Sequence, residues 1–218
     1  MRALILSGGD RPDRAALDAA HPGWDDAALV IAADSGARHA APLGLRIDLA
    51  IGDFDSLDAG ELAGLAAAGA RVERHPPEKD ATDTELALLA AIAAGATEIA
   101  ILAAWGGRAD QALGTALLLA HPRVAAAGVR LEILDATSRI RLLRATERLE
   151  LRGAPGSVVS LLPLGGDATV SAEGLRWPLD RATLRAGESR GLSNLVVGAL
   201  ATVRVHQGAL LVSEGGAE

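Results

Sequence analysis

The stretch LVIAADSGARHAAPLGLRIDLAIGD, residues 29–53, decides the fold. It contains two short apolar runs, at 29–34 and 49–53, and each run ends in an aspartate. Neither run alternates polar with apolar residues, which is typical of strands buried on both faces of a parallel sheet. The segment at 35–41 that follows the first run is helix-like. The stretch therefore predicts a strand–helix–strand unit of an α/β protein.

The same alternation continues on both sides of this stretch. Further apolar runs predict strands at residues 3–7, 70–75, 99–104 and 131–135. The segments between them predict helices at residues 14–20, 59–68, 83–94 and 110–120, the last one closed by His121-Pro122. This order predicts an α/β fold with an open, mostly parallel sheet and helices around it.

The pattern changes near residue 136. Short β-rich segments at 157–164, 168–175 and 200–212 are separated by Gly, Pro and Asp turns, without a strong helical period. We therefore predict two domains, an α/β domain at residues 1–136 and a small C-terminal antiparallel β-sandwich domain at 137–218.

Composition excludes several classes of protein. The 218 residues include no Cys, which excludes a disulfide framework and thiolate chemistry. With 50% hydrophobic residues the chain has enough material for a packed core, so it is not a largely disordered protein. The formal net charge of −7 argues against non-specific nucleic-acid binding. No signal peptide opens the sequence, and no apolar run approaches the roughly 20 residues that span a bilayer. We expect a cytoplasmic protein without a membrane or nucleic-acid partner.

Polar clusters follow four of the predicted strands. They are Asp34-Ser35-Gly36, Gly52-Asp53-Phe54-Asp55-Ser56, Lys79-Asp80-Ala81-Thr82-Asp83 and Trp105-Gly106-Gly107-Arg108-Ala109-Asp110. Ligands of open α/β sheets bind beyond the carboxyl ends of the strands, so all four clusters would open onto one edge of the sheet.

Asp53 and Asp55 are the first candidate metal ligands. In an extended segment their i, i+2 spacing points both carboxylates to the same side, where they repel unless a cation lies between them. Such oxygen ligands suit Mg²⁺, which takes one or two carboxylates together with substrate phosphates. The alternative is an acidic turn that caps the following helix.

The third and fourth clusters each allow a simpler interpretation. Thr82 and Glu85 match a capping box, which explains these two residues but not Lys79, Asp80 and Asp83. The glycines before Arg108 could present backbone N–H groups to phosphate, or could form an ordinary strand-to-helix turn. The P-loop and GxGxxG fingerprints are absent.

In this order, the motifs GDFDS at 52–56, KDATDTELA at 79–87 and GGRAD at 106–110 resemble the thiamine pyrophosphokinase family. The resemblance continues through GLRWPL at 174–179 and GLSN at 191–194. It implies an α/β domain, a C-terminal β-sandwich and transfer of a diphosphoryl group from ATP to thiamine. It also implies a homodimer that binds the vitamin between subunits.

The resemblance assigns roles to particular residues. By analogy, Mg²⁺ and the reacting phosphates would be held by Asp53, Asp55, Asp80 and Asp83. The nucleotide would contact Asp34, Ser35, Arg108, Asp110 and Gln111. Thiamine would stack on Trp177, with Ser193 and Asn194 beside it.

The chain departs from the family pattern at several positions. Gln111 stands where a His is usual, and Thr115 stands where an Asn is expected. These two changes motivate a second hypothesis, in which the diphosphoryl acceptor is another alcohol, such as a hydroxymethylpterin. A third hypothesis is a catalytically silent module that binds nucleotide or thiamine.

Overall fold

The computed structural model describes residues 1–217. The chain divides into two compact units, Met1–Ala136 and Thr137–Glu218. Each unit has a hydrophobic core of its own.

The first unit is built on a parallel sheet. Its strands are β1 (Arg2–Leu6), β2 (Leu29–Ala33), β3 (Leu49–Gly52), β4 (Arg71–Arg74), β5 (Glu98–Leu102) and β6 (Arg130–Leu134). They lie in the order β6-β5-β1-β2-β3-β4, and every pairing among them is parallel. This arrangement confirms the predicted fold class for the first part of the chain.

The helices of this unit are α1 (Arg14–Ala20), α2 (Ala59–Ala67), α3 (Asp83–Ala93), α4 (Ala109–Leu117) and α5 (Pro122–Ala127). Two predicted helices differ from the observed structure. The segment at 35–41 is a 3₁₀ helix over Asp34–His39, and α4 passes into a 3₁₀ turn at Leu118–Ala120. Sequence analysis missed α5, because Pro122 does not simply end the preceding helix: it occupies the first turn of a new one, where proline is well tolerated.

Burial explains why the strand sequences are apolar without alternation. Ala3, Leu4, Ile5 and Leu6 of β1 are all fully buried, as expected for a central parallel strand covered on both faces. The edge strand β4 has the sequence RVER instead, and most of its residues are exposed. Charged side chains on an edge strand discourage pairing with another chain.

The strand order creates a switch point between β1 and β5. From β1 the chain builds outward through β2, β3 and β4, then returns to β5 on the other side of β1. The connections from β1 to β2 and from β5 to β6 therefore run in opposite directions across the sheet, which creates a crevice at its carboxyl edge. Open α/β proteins bind their ligands in such a crevice.

The second unit contains two antiparallel sheets. Its strands are β7 (Ser138–Arg144), β8 (Arg148–Leu151), β9 (Ser157–Pro163), β10 (Ala168–Glu173), β11 (Leu179–Leu184), β12 (Asn194–Leu195), β13 (Ala201–Gln207) and β14 (Ala209–Ala217). Within this unit the strand orders are β12-β9-β14-β7 and β11-β10-β13-β8. Strands of both sheets contribute to one apolar core, including Val159, Val170, Val203 and Val212, which gives the predicted sandwich.

The segment at 200–212 forms two strands, β13 and β14, joined at Gly208. A side chain is excluded at this position, since a Cβ would lie 2.4 Å from the carbonyl oxygen of Asp167 and φ is +82°. Among residues 1–217, no helix combines the length and the apolar character that crossing a membrane requires.

Two leucine substitutions, one on α3 and one on α4, should differ strongly in their effect on the free energy of unfolding. Leu88 on α3 is fully buried, whereas Leu113 on α4 is 66% exposed. We expect Leu88→Ala to lower the free energy of unfolding by about 2–5 kcal/mol. Leu113→Ala should change it by no more than about 0.5 kcal/mol. Urea denaturation of both variants measures the difference, and equal losses would contradict this description of the core.

Candidate active site

A cavity of about 720 Å³ lies at the switch point of the parallel sheet. The loops that follow β1, β2, β3 and β5 line it, together with the segment before α3 and the first two turns of α4. The structure thus brings the four polar clusters of the sequence to one edge of the sheet. Ser7, Gly8 and Gly9 after β1 join them.

Three carboxylates converge in this cavity. Asp34, Asp53 and Asp55 each offer an oxygen, and these oxygens all lie within 4.8 Å of one another. Oδ1 of Asp34 is buried and has no hydrogen-bond partner within the described part of the chain. Buried polar atoms are nearly always paired, so this oxygen is placed for a ligand. Carboxylate oxygens at this spacing suit a hard divalent cation such as Mg²⁺.

The residue between Asp53 and Asp55 sets their directions. Phe54 adopts a left-handed conformation with φ of +59°, so the segment is a turn, and our expectation of an extended segment was wrong. The Phe54 side chain is buried in the core of the unit, and the guanidinium of Arg74 lies 5.3 Å from the centre of its ring. The N–H of Asp55 donates to Oδ1 of Asp53 at 3.2 Å, which stabilises the turn.

A tight turn positions Asp34. Its φ of +46° is also left-handed, and it opens the 3₁₀ helix over Asp34–His39. Gly36 lies so close to the end of β1 that a Cβ would be 2.1 Å from the carbonyl oxygen of Leu6. Glycine at this position lets the turn pack directly against the central strand, which brings Asp34 to the carboxylates that follow β3.

Lys79 links two of the acidic groups. Its Nζ lies 2.9 Å from Oδ2 of Asp53 and 3.2 Å from Oδ1 of Asp83. The hydrogen bond from Lys79 lowers the pKa of Asp53 below its usual value. Burial disfavours the ammonium group, but the hydrogen bond to Asp53 and the ion pair with Asp83 outweigh burial and raise the pKa of Lys79. The pair with Asp53 is therefore charged at neutral pH.

The two other predicted metal ligands, Asp80 and Asp83, lie outside the group of three carboxylates, although both line the cavity. Asp80 is exposed. Burial raises the pKa of Asp83, against the opposing effect of Lys79. Asp83 therefore holds a proton more readily than an ordinary aspartate does.

The predicted capping box is only partly present at α3. Oγ1 of Thr82 accepts from the N–H of Glu85 at 3.2 Å, as expected of an N-cap. The Glu85 carboxylate lies 3.3 Å from Nε2 of His121. The reciprocal pair of bonds occurs instead at the start of α2, between Asp58 and Glu61.

Backbone hydrogen bonds join the loops that follow β1 and β5. The N–H of Gly9 donates to the carbonyl of Ala103 at 2.8 Å, and that of Asp10 donates to the carbonyl of Trp105 at 2.7 Å. A Cβ on Gly9 would lie 2.2 Å from the Trp105 oxygen, so only glycine permits this approach. Nε2 of His39 lies 3.1 Å from the Gly9 carbonyl oxygen and donates to it.

Most, but not all, of the residues predicted to contact the nucleotide line the cavity. Ser35, Arg108 and Gln111 line the cavity with Asp34, whereas Asp110 is not among the described residues that line it. Asp110 instead forms an exposed two-bond ion pair with Arg108, at 2.6 and 3.1 Å. Its contact orients the guanidinium at the cavity mouth.

Thr115, which sequence analysis noted only as a departure from the family pattern, is buried and lines the same cavity.

The residues predicted to bind thiamine lie in the second unit. Trp177 is 55% exposed, whereas the side chain of Asn194 is buried and holds the Trp177 backbone. It accepts from the Trp177 N–H at 3.1 Å and donates to the Trp177 carbonyl at 2.8 Å. Arg176 lies 5.2 Å from the centre of the indole ring. Ser193 is exposed, and its N–H donates to Oγ of Ser160 at 3.1 Å.

Together, a parallel sheet with an acidic cavity at its switch point and a following β-sandwich define a class: α/β proteins whose ligand site lies at the carboxyl edge of the sheet. Two family models specify the class further. "Thiamin pyrophosphokinase, catalytic domain" matches residues 20–131, and "Thiamin pyrophosphokinase, vitamin B1 binding domain" matches residues 146–210. The chain belongs to the thiamin pyrophosphokinase family, which confirms the resemblance of its motifs.

Individual relatives agree with this assignment. A thiamine pyrophosphokinase of Bacillus subtilis is 26% identical over 189 residues, which cover 86% of this chain and 87% of that protein. Thiamine pyrophosphokinase 1 of Oryza sativa is 26% identical over 198 residues, or 79% of this chain and 74% of that protein.

Crystal structures of family members share the fold. That of the Bacillus subtilis thiamine pyrophosphokinase has a TM-score of 0.85 at 24% identity and covers 100% of both chains. That of the Candida albicans thiamin pyrophosphokinase has a TM-score of 0.82 at 16% identity and covers 98% of this chain and 89% of that one.

The burial of His39 predicts a specific pH dependence of stability. Burial lowers the pKa of His39 from its usual 6.5, although the bond to Gly9 opposes the shift. The unfolded chain then binds a proton more readily than the folded chain does. The stability that neutral His39 supplies is present above pH 6.5 and declines as the pH falls towards the lower folded value.

His39→Gln keeps a donor for Gly9 but does not titrate. We expect wild type to lose more stability than this variant when thermal unfolding is compared at pH 7.5 and pH 5.5, about one unit either side of the histidine value. The four other histidines are common to both proteins and cancel in the difference. Parallel pH profiles would contradict the assignment.

Proposed function

We propose that this chain is an ATP:thiamine diphosphotransferase, which converts thiamine and ATP to thiamine diphosphate and AMP. The observation that carries the proposal is that the catalytic-domain and vitamin B1-binding-domain models match successive parts of one chain. The convergence of Asp34, Asp53 and Asp55 at the switch point supports it, because a polyphosphate needs a divalent cation beside it.

The reaction is a displacement at phosphorus. The hydroxyl oxygen of thiamine bonds to the β-phosphorus of ATP, the bond from that phosphorus to the α–β bridging oxygen breaks, and AMP leaves with that oxygen. The hydroxyl proton passes to a base. Such a transfer depends on positioning and charge neutralisation, without a covalent enzyme intermediate.

Asp34, Asp53 and Asp55 are the residues that would hold Mg²⁺, which when bound neutralises charge on the polyphosphate. Asp80 and Asp83 line the approach to them. Gly8, Gly9, Gly106 and Gly107 line the cavity without side chains of their own, so their backbone could approach the nucleotide closely. The Arg108 guanidinium, oriented by its ion pair with Asp110, supplies a cation for phosphate oxygens.

Asp83 is the better candidate for the base that accepts the hydroxyl proton. Burial raises its pKa, and a carboxylate with a raised pKa is a stronger base than an exposed one. Asp80 is exposed and lacks this property. We propose that Asp80 acts beside the metal ion and the phosphates and not as the base.

Trp177 would stack on the thiamine ring. Its indole is exposed on a backbone that Asn194 holds from both sides. Arg176 already lies over this ring, so the indole has a face that attracts a cation. A thiazolium cation on an indole face gains about 0.5–2 kcal/mol.

We further propose a cytoplasmic homodimer with its site between subunits, and no membrane or nucleic-acid partner.

An assay of thiamine-dependent AMP release tests the reaction. With Mg²⁺-ATP, wild type should form AMP and thiamine diphosphate in equal amounts. Asp55→Asn should lower kcat at least about 100-fold, since it removes a carboxylate from the reacting centre. Asp26→Asn, an exposed change just before the amino end of β2, is the matched control and should retain wild-type activity.

Two other outcomes would contradict the proposal. AMP release with a hydroxymethylpterin but not with thiamine would identify a different acceptor. Nucleotide or thiamine binding without turnover, unchanged in Asp55→Asn, would identify a silent binding module.

Substitution of Trp177 tests the stacking role. We expect Trp177→Ala to raise the KM for thiamine about tenfold, in line with the loss of a cation–π contact, while the KM for ATP stays within about twofold. Trp177→Phe keeps an aromatic face, so its KM for thiamine should lie between those of wild type and Trp177→Ala. A thiamine KM unchanged in Trp177→Ala would contradict the stacking role.

A further inference from the structure

The chain uses lysine once. Of its 21 basic residues, 20 are arginine, and the single lysine is Lys79. This lysine lines the cavity, in the segment that leads into α3.

Lys79 spans two structural elements. Its Nζ lies 2.9 Å from Oδ2 of Asp53, which follows β3, and 3.2 Å from Oδ1 of Asp83, in the first turn of α3. The side chains of Lys79, Asp53 and Asp83 are 14%, 14% and 21% exposed, so all three are largely removed from water. Asp53 is also one of the three convergent carboxylates.

Two arginines of the first unit, Arg38 and Arg108, each pair with one carboxylate through two bonds. Arg38 makes two bonds to the single carboxylate of Glu61, at 2.6 and 2.9 Å, and Arg108 does the same with Asp110. A planar guanidinium favours this fork-like pairing. An ammonium is a compact point charge with three donors, so it can face two carboxylates that approach from different directions. Lys79 makes such a contact at the cavity.

Building on the function proposed above, we propose that Lys79 is the resident counter-cation of the acidic cavity. It holds Asp53 and Asp83 while no polyphosphate is present, and its ammonium moves to the phosphate oxygens when the nucleotide binds. Binding of the divalent cation is thereby coupled to binding of the nucleotide.

The coupling follows from competition for Asp53. A divalent cation at the three carboxylates must share Asp53 with an ammonium at ion-pair distance, and the two positive charges repel. A polyphosphate removes the conflict because it gives Lys79 a new anionic partner. The same movement releases Asp83, which is then free to accept the proton of the substrate hydroxyl.

Binding of Mn²⁺ without nucleotide tests this role, with the free ion measured by electron paramagnetic resonance. We expect Lys79→Gln to bind Mn²⁺ about tenfold more tightly than wild type, because a competing unit charge is removed. Lys79→Arg, which retains the charge, should stay within about twofold of wild type. Arg130→Gln removes an exposed cation at the amino ends of β5 and β6, where it pairs with Glu98, and should not change the affinity.

Either of two results would overturn the proposal. One is a Lys79→Gln variant that binds Mn²⁺ no more tightly than wild type. The other is an equal gain in Lys79→Arg, which would show that charge is not the determinant. These measurements use neither ATP nor thiamine, so they are independent of whether the diphosphotransferase reaction occurs.

Because the chain has one lysine, protein labelled with ¹⁵N-lysine gives a single Nζ resonance, which reports on Lys79 directly. We expect Mg²⁺-ATP without thiamine to shift this resonance strongly, and Mg²⁺ alone at the same concentration to shift it little. Calorimetry establishes nucleotide saturation separately. An unchanged resonance at proven saturation would refute the movement, whereas failure of the nucleotide to bind would instead contradict the proposed function.

Discussion

The repulsion among three carboxylates is the constraint on which the rest of the cavity depends. Asp34, Asp53 and Asp55 hold oxygens within 4.8 Å of one another, and like charges at this spacing oppose the folded state. A single ammonium, that of Lys79, offsets part of the repulsion through Asp53. Asp34 follows β2, and Asp53 and Asp55 follow β3, and the residues of these two strands are mostly buried in the core of the unit. Packing of these strands therefore holds the three carboxylates close together against their repulsion.

The backbone at the strand ends transmits this constraint to the carboxylates. Asp34, Phe54 and Ala103 each have a positive φ without being glycine, and each lies just beyond a strand of the sheet. Such conformations cost of order 1–3 kcal/mol each and persist only where packing imposes them. At Phe54 the packing is the burial of the ring in the core. Core burial and site geometry are thus coupled through a single residue.

The second unit exposes a large aromatic side chain, that of Trp177, on a backbone that hydrogen bonds hold in place. Asn194 is buried, and its side-chain amide bonds the backbone of Trp177. Asn194, which the sequence suggested as a residue near thiamine, therefore fixes the backbone of Trp177, the residue proposed to stack on the vitamin. A rigid aromatic surface loses little entropy when a flat ring binds to it.

The sequence by itself determined the order of the strands and of four of the five α-helices of the first unit, the change to β-structure after residue 136, and the four polar clusters at the strand ends. Apolar runs and turn residues act locally, so they can be recognised without a structure. Only the tertiary structure decided that Asp34 joins Asp53 and Asp55, that Lys79 bridges Asp53 to α3, and that α5 begins at Pro122. These outcomes depend on single φ angles and on contacts between residues distant in the chain, which no local pattern of residues records.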